Sequence, residues 1–165
     1  MRTLSVFSLT VLLLSATGNV ATAQETLPSF GQTLEGTWIA QVAAPGGDFL
    51  PFGLGTFTSD GSYIGTTNDP TQSTHHGVWF RTGNRKFALS TMFFRRDANG
   101  VYIGMTRTRI AITLAEDLKS YEATVERINM DTTGKQLEVI YGIRGRSVRM
   151  SLETQRFPPV EATTP

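Results

Sequence analysis

Gly36-Thr37-Trp38, followed by Asp60-Gly61-Ser62-Tyr63-Ile64-Gly65-Thr66, returns further along the chain as Gly77-Val78-Trp79, followed by Asn99-Gly100-Val101-Tyr102-Ile103-Gly104-Met105-Thr106. A recurring Trp-led strand and a recurring G-x-Y-I-G hairpin predict a duplicated β-meander. On either side of these motifs apolar residues alternate with period two and turn residues punctuate them at short intervals, the pattern of an all-β sandwich or barrel. Eight strands are expected, at roughly 35–44, 49–58, 62–67, 75–82, 86–96, 101–114, 119–130 and 136–150. Ser59-Asp60-Gly61, Thr82-Gly83-Asn84, Asp97-Ala98-Asn99-Gly100 and Asp131-Thr132-Thr133-Gly134 carry the Gly and Asn that tight hairpins need for positive φ. No helical apolar stripe of useful length occurs. Sequential hairpins of even spacing close most simply into an antiparallel up-and-down eight-stranded barrel, which leaves no edge strand unpaired.

The N-terminus carries a different signal. Arg2 precedes a short apolar run, Leu4 to Leu14, and Ala21-Thr22-Ala23 forms an A-x-A cleavage site, so residues 1–23 read as a secretory signal peptide. The apolar run is shorter than the roughly 20 residues a membrane-spanning helix needs, so no integral membrane segment is expected after cleavage. Residues 24–33 form a leader, 34–155 the barrel domain and 156–165 a Pro- and Thr-rich tail expected to be disordered. Removing 23 of 165 residues leaves 142, enough for one domain with a real core. The chain has no cysteine, so packing without disulfides must stabilise it, which suits a secreted or periplasmic bacterial protein. Without Arg2 the cations number 14 against 14 carboxylates, so no global field steers the protein toward nucleic acid.

Gly36-Thr37-Trp38 on the first strand of an exported eight-stranded meander resembles the G-x-W opening of lipocalins and other calycins. The resemblance implies a barrel that encloses small ligands, with Trp38 closing its base and Arg146 or Arg149, near the end of the last strand, packed on that ring. It covers about residues 34–150. Two features depart from the family pattern: no amphipathic helix follows the last strand, and a T-D-Y-type turn is missing.

Hairpin geometry says which residues share a face. A two-residue turn at Gly83-Asn84 sets Trp79 opposite Ala88, and a similar turn at Ala98-Asn99 sets Ala88 opposite Arg109, Ser90 opposite Arg107, Met92 opposite Met105 and Phe94 opposite Ile103. One face then carries His75, Trp79, Ser90, Met92, Phe94, Met105, Arg107 and Arg109; the other carries His76, Val78, Phe80, Phe87, Leu89, Phe93, Ile110 and Ile112. Both are apolar over much of their length, so either another subunit covers the outside or the register slips at a bulge. By analogy with Trp38, the Trp79 face is expected to be the lumen, with Trp38, Trp79, Ser90, Met92, Phe94 and Met105 binding ligand. The Phe80, Phe87, Leu89, Phe93 stripe would then lie outside and predicts a homo-oligomer.

Chemistry-bearing residues are few. His75 and His76 are adjacent on a strand and point to opposite faces, so they do not share an ion, and without Cys or an H-x-H spacing no metal site is expected. His75, facing the lumen, is the candidate general acid or base. Arg107, Arg109 and a neighbouring Arg127 form either an outer solvated stripe paired with Glu122, Glu126 and Asp131, or a cationic patch inside the barrel suited to a carboxylate or phosphate. Tyr141 is a candidate hydrogen-bond donor, and Glu126 becomes the candidate acid or base if the faces are reversed. No G-x-S-x-G elbow, H-E-x-x-H helix, phosphate loop or dinucleotide turn occurs, and no cofactor is implied. The residues fit a binder of a small apolar or aromatic, acidic molecule. Two alternatives stay open: a cofactor-independent cyclase or isomerase using His75, Arg107, Arg109 and Tyr141, and a non-catalytic envelope interaction protein.

Overall fold

The computed structural model describes residues 33–151. The expected signal peptide, nearly all of the leader and the C-terminal tail lie outside the described residues. Eight strands follow one another, β1 (Gly36–Ala43), β2 (Leu50–Phe57), β3 (Ser62–Thr67), β4 (His75–Gly83), β5 (Lys86–Arg96), β6 (Tyr102–Leu114), β7 (Ser120–Met130) and β8 (Gln136–Arg149). Each pairs antiparallel with its sequence neighbours, and β8 pairs with β1 to close the barrel. No helix occurs among the described residues.

Local chemistry sets the turns. The carboxylates of Asp60, Asp97, Asp117 and Asp131 each accept the backbone N–H two residues on, from Ser62, Asn99, Lys119 and Thr133. Gly61, Gly100 and Gly134 follow at positive φ. A short carboxylate side chain thus replaces the backbone partner a tight turn lacks, and glycine takes the conformation that a Cβ disfavours. The pairing puts the 58–61, 84–85 and 115–119 turns at one end, with both ends of the domain, and the 44–49, 68–74, 97–101 and 131–135 loops at the other.

The first end is a packed base. Trp38 is fully buried against Tyr121, with ring centroids 4.8 Å apart, and its Nε1 donates to the Leu34 carbonyl at 2.8 Å. Phe57 meets Tyr63 at 4.8 Å and Trp79 at 5.8 Å, and Trp79 meets Phe87 at 5.8 Å. Each such ring contributes on the order of 2–3 kcal/mol through burial, and this cluster is the core. Arg149 lies 4.3 Å above the Trp38 ring and donates to the carbonyls of Thr33 (2.8 Å), Leu118 (3.0 Å) and Glu35. Of the two arginines the lipocalin resemblance offered, Arg149 is the one on Trp38; Arg146 lies over Phe49 and donates to Gln41.

The recurring motif is not a structural duplication. Its copies start on β1 and β4, three strands apart, so in an all-antiparallel barrel they run in opposite directions. Tyr63 packs inward at the base end, whereas Tyr102 lies on the outer wall at the other end, against Phe94. The glycines serve different purposes too. A Cβ on Gly65 would stand 2.5 Å from the Tyr63 hydroxyl, and one on Gly55, its cross-strand partner, 2.4 Å, so this pair leaves room for the Tyr63 ring. At Gly104 the obstacle is backbone, the Met130 carbonyl at 2.1 Å.

One hairpin overturns the expected lumen face. Between β4 and β5 the central turn residues are Asn84 and Arg85, Gly83 pairs with Lys86, and a bulge intervenes before Arg81 pairs with Phe87. Trp79 therefore lies opposite Leu89, not Ala88. A slip of one residue exchanges the faces of a strand. Trp79 does point inward, but Phe87, Leu89, Thr91 and Phe93 share its face. β6 is displaced by two residues from the expected register, Ser90 facing Arg109 and Met92 facing Arg107, which preserves face grouping. Ser90, Met92, Phe94, Met105, Arg107 and Arg109 consequently lie on the outer wall. Phe87, Leu89, Phe93 and Ile112, expected outside, are buried in the interior.

Candidate functional site

Above the aromatic base the lumen narrows into a cavity of about 100 Å³. Its walls are Val42, Phe52, Tyr63, Ile110, Val125 and Ile143, and its polar groups come from Gln72, His75, Thr91, Thr108 and Arg127. Alternation explains this mixture: on β5 the inward positions run Phe87, Leu89, Thr91, Phe93, Arg95, and on β6 Leu114, Ile112, Ile110, Thr108, Thr106. Each strand changes from apolar to polar as it leaves the base. A groove of about 500 Å³, lined by Leu50, Pro51, Asn68 and Asp69, adjoins the cavity and shares Val42, Phe52 and Gln72 with it.

His75 is 6% exposed and stacks on Phe93 with centroids 3.9 Å apart and planes 3° from parallel. Its protonation state follows from its neighbours. The Gln72 amide Nε2 donates to Asp69 Oδ2 at 2.7 Å, which turns Gln72 Oε1 toward His75 Nε2 at 3.0 Å. A carboxylate only accepts, so the Gln72 oxygen accepts from His75, Nε2 carries the proton and Nδ1 is the ring's acceptor. Burial first, then the Arg127 and His76 charges, push the imidazole pKa from its ordinary 6.5 down to about 4. His75 is neutral at neutral pH. Asp69 also accepts from the Thr71 N–H and hydroxyl, bonds that hold its carboxyl below the ordinary range.

Deeper in, Thr91 and Thr108 are buried and hydrogen-bonded to each other at 2.7 Å. One hydroxyl must donate to the other, which leaves the second proton for another acceptor. Arg127 faces Thr108 across the β6–β7 pairing, and its guanidinium lies 5.6 Å from the Phe93 ring. Burial lowers its proton affinity, as does the charge of Arg95, while Asp69 and Glu138 raise it. The Nε atoms of both Arg127 and Arg95 are buried without a hydrogen-bond partner, and Arg95 Nη2 donates to the Met130 carbonyl at 2.9 Å. Among the described residues the ion pairs are Arg85 with Glu116 and Arg109 with Glu126, neither of which involves Arg127 or Arg95.

The sequence-derived candidates divide. His75 lies at the cavity, Trp38 and Trp79 belong to the packed base, and His76 is exposed on the outer wall. Arg109, Ser90 and Tyr141 do come together, but on an open outer groove of about 600 Å³ that also includes Val78, Phe80 and Ala88. Tyr141 is 66% exposed. Arg109 pairs with Glu126 at 3.1 Å on the outer wall, one of the pairings in the solvated-stripe reading, whereas Arg127 lines the cavity and does not belong to that stripe. Arg107 lies outside beside Met92, and Met92, Phe94 and Met105 form part of the outer wall. A one-residue difference at β6–β7 sets Arg127 opposite Thr108 rather than beside Arg107, inside rather than out. No group of three or more metal-ligating side chains occurs among the described residues. Neither a protein-family model nor a curated protein matches the chain.

Proposed function

We propose that this protein is exported to the periplasm or beyond and binds a small apolar or aromatic molecule in the loop-bearing half of its barrel. One observation carries the reading: the lumen is packed solid at the base yet leaves about 100 Å³ beside His75, Phe93 and Arg127. The cavity is smaller than the about 150 Å³ that holds a whole benzene, so it seats one edge of a small ring or a short apolar group. The adjoining groove has room for a larger remainder of the ligand. Apolar walls with a few convergent polar groups are the ordinary composition of ligand sites. The test is amide and methyl NMR of the intact protein titrated with small aromatic probes such as toluene and benzamide. Shifts confined to Thr91, Phe93, Thr108, Ile110 and Val125 are expected. Shifts only on the outer groove, or none, overturn the reading.

The position of His75 favours a second reading, a cofactor-independent cyclase or isomerase. Neutral and held in one tautomer, it is the lumen's candidate proton-transfer group, although a base with a pKa near 4 is poorly matched to chemistry at neutral pH. Turnover abolished by His75→Phe, with binding retained, would favour this reading over simple binding. The exposed Val78, Phe80, Met92 and Phe94 keep a homo-oligomer as a proposal for the outer wall. Light scattering tests it directly.

A further inference from the structure

We propose that the lumenal ligand is a carboxylate monoanion, held at the mouth by the guanidinium of Arg127 with Arg95 beside it. The inference rests on the lumenal-binding reading above and specifies the chemistry of the ligand's polar end. Arg127 is fixed inward by its pairing with Thr108 and lines the cavity. Two cations stand near each other here, and each has a buried Nε–H that donates to nothing. A buried guanidinium without an anion is unfavourable, and a second nearby compounds it through like-charge repulsion. Local carboxylates offset part of this repulsion, but neither guanidinium has an ion-pair partner among the described residues. Asp69 is close enough to be felt electrostatically, but its oxygens accept from Thr71 and Gln72 and form no ion pair with Arg127. Glu138 accepts from Asn129 Nδ2 at 3.1 Å, and Asn129 Oδ1 in turn accepts from the buried Thr106 hydroxyl.

The site therefore presents uncommitted donors beside an apolar cavity, an arrangement that complements an anionic head on a small greasy body. A planar carboxylate matches the fork of a guanidinium with two parallel hydrogen bonds. The Thr91–Thr108 pair has one hydroxyl proton left to donate, and its position farther in suits a carbonyl or ether oxygen on the body. A monoanion is favoured over a phosphate dianion because a planar carboxylate fits the guanidinium fork, and Asp69 and Glu138 lie near enough to repel a second negative charge. His75 is neutral at neutral pH and adds no positive charge.

The experiment is calorimetric and NMR titration with benzoate, its neutral isostere benzamide, and inorganic phosphate, on the wild-type protein and on Arg127→Met and Arg127→Lys. Benzoate should bind the wild type at least tenfold more tightly than benzamide does. Arg127→Met should erase that preference, and Arg127→Lys should recover only part of it. Removing one of two neighbouring, partly buried cations should also raise the Tm of the ligand-free protein in Arg127→Met. A purely structural arginine would lower it. Equal binding of benzoate and benzamide in the lumen overturns the anion assignment and leaves lumenal binding intact; no lumenal shifts from either overturn both. Phosphate binding as tightly as benzoate overturns the choice of a carboxylate. A failure of Arg127→Met to fold would be met by the same comparison in Arg127→Lys and in Arg95→Gln, where the benzoate preference must fall for the proposal to stand.

Discussion

Acidification should destabilise this barrel through one side chain. His75 has an ordinary pKa of 6.5 and one of about 4 in the folded protein. The unfolded chain thus binds a proton that the folded chain refuses between those values, so the stability contributed by neutral His75 is complete above pH 6.5 and is lost as the pH falls toward 4. At about 1.4 kcal/mol per pH unit, the linkage removes about 2 kcal/mol by pH 5 and about 3 kcal/mol by pH 4. Depressed carboxylates do not share this window. Asp60, Asp69 and Asp131 lie below their ordinary value of 3.8, so their contributions are lost only as the pH falls through and below that value. Urea unfolding at pH 7.5, 5 and 4, followed by tryptophan fluorescence, measures the fall. His75→Phe supplies the control: the ring still stacks on Phe93, the bond to Gln72 is lost at a pH-independent penalty of about 1 kcal/mol, and the slope between pH 6.5 and 4 flattens. An NMR titration assigns the group. A slope unchanged in His75→Phe, or a His75 ring that titrates above about pH 5.5, would refute the reasoning.

Two further perturbations probe the base. Arg149→Ala removes three donations to backbone carbonyls and the cover over Trp38, and should destabilise by about 2–4 kcal/mol; Arg149→Lys should restore less than half of this in urea unfolding. Gly65→Ala drives a methyl into the Tyr63 ring and should cost about 1–3 kcal/mol. Adding Tyr63→Phe removes the nearest atom, the hydroxyl at 2.5 Å, and should recover part of the loss, whereas strict additivity in the double mutant would contradict the packing described.

The strand order and the base were legible in the sequence because both depend on local chemistry. Alternation and Asp- and Gly-bearing turns marked all eight strands, and pairing β8 with β1 leaves no edge strand open. Trp38 beneath an arginine of the last strand came from the lipocalin resemblance, which offered two residues of which Arg149 is the one seated. The lumen was not legible, since inside and outside on β5 and β6 depend on parity. Both faces are apolar enough that composition does not choose between them. A single extra residue in the β4–β5 hairpin, with Arg85 at positive φ, sent Phe93 in and Arg109 out. Only the closed barrel brings Arg127, Arg95 and His75 from three strands to one mouth. No spacing along the chain encodes that convergence, because it results from stagger accumulated across hairpins whose bulges tertiary packing selects. The sequence by itself determined a barrel and its sealed floor; the tertiary structure decided which side chains line the space above it.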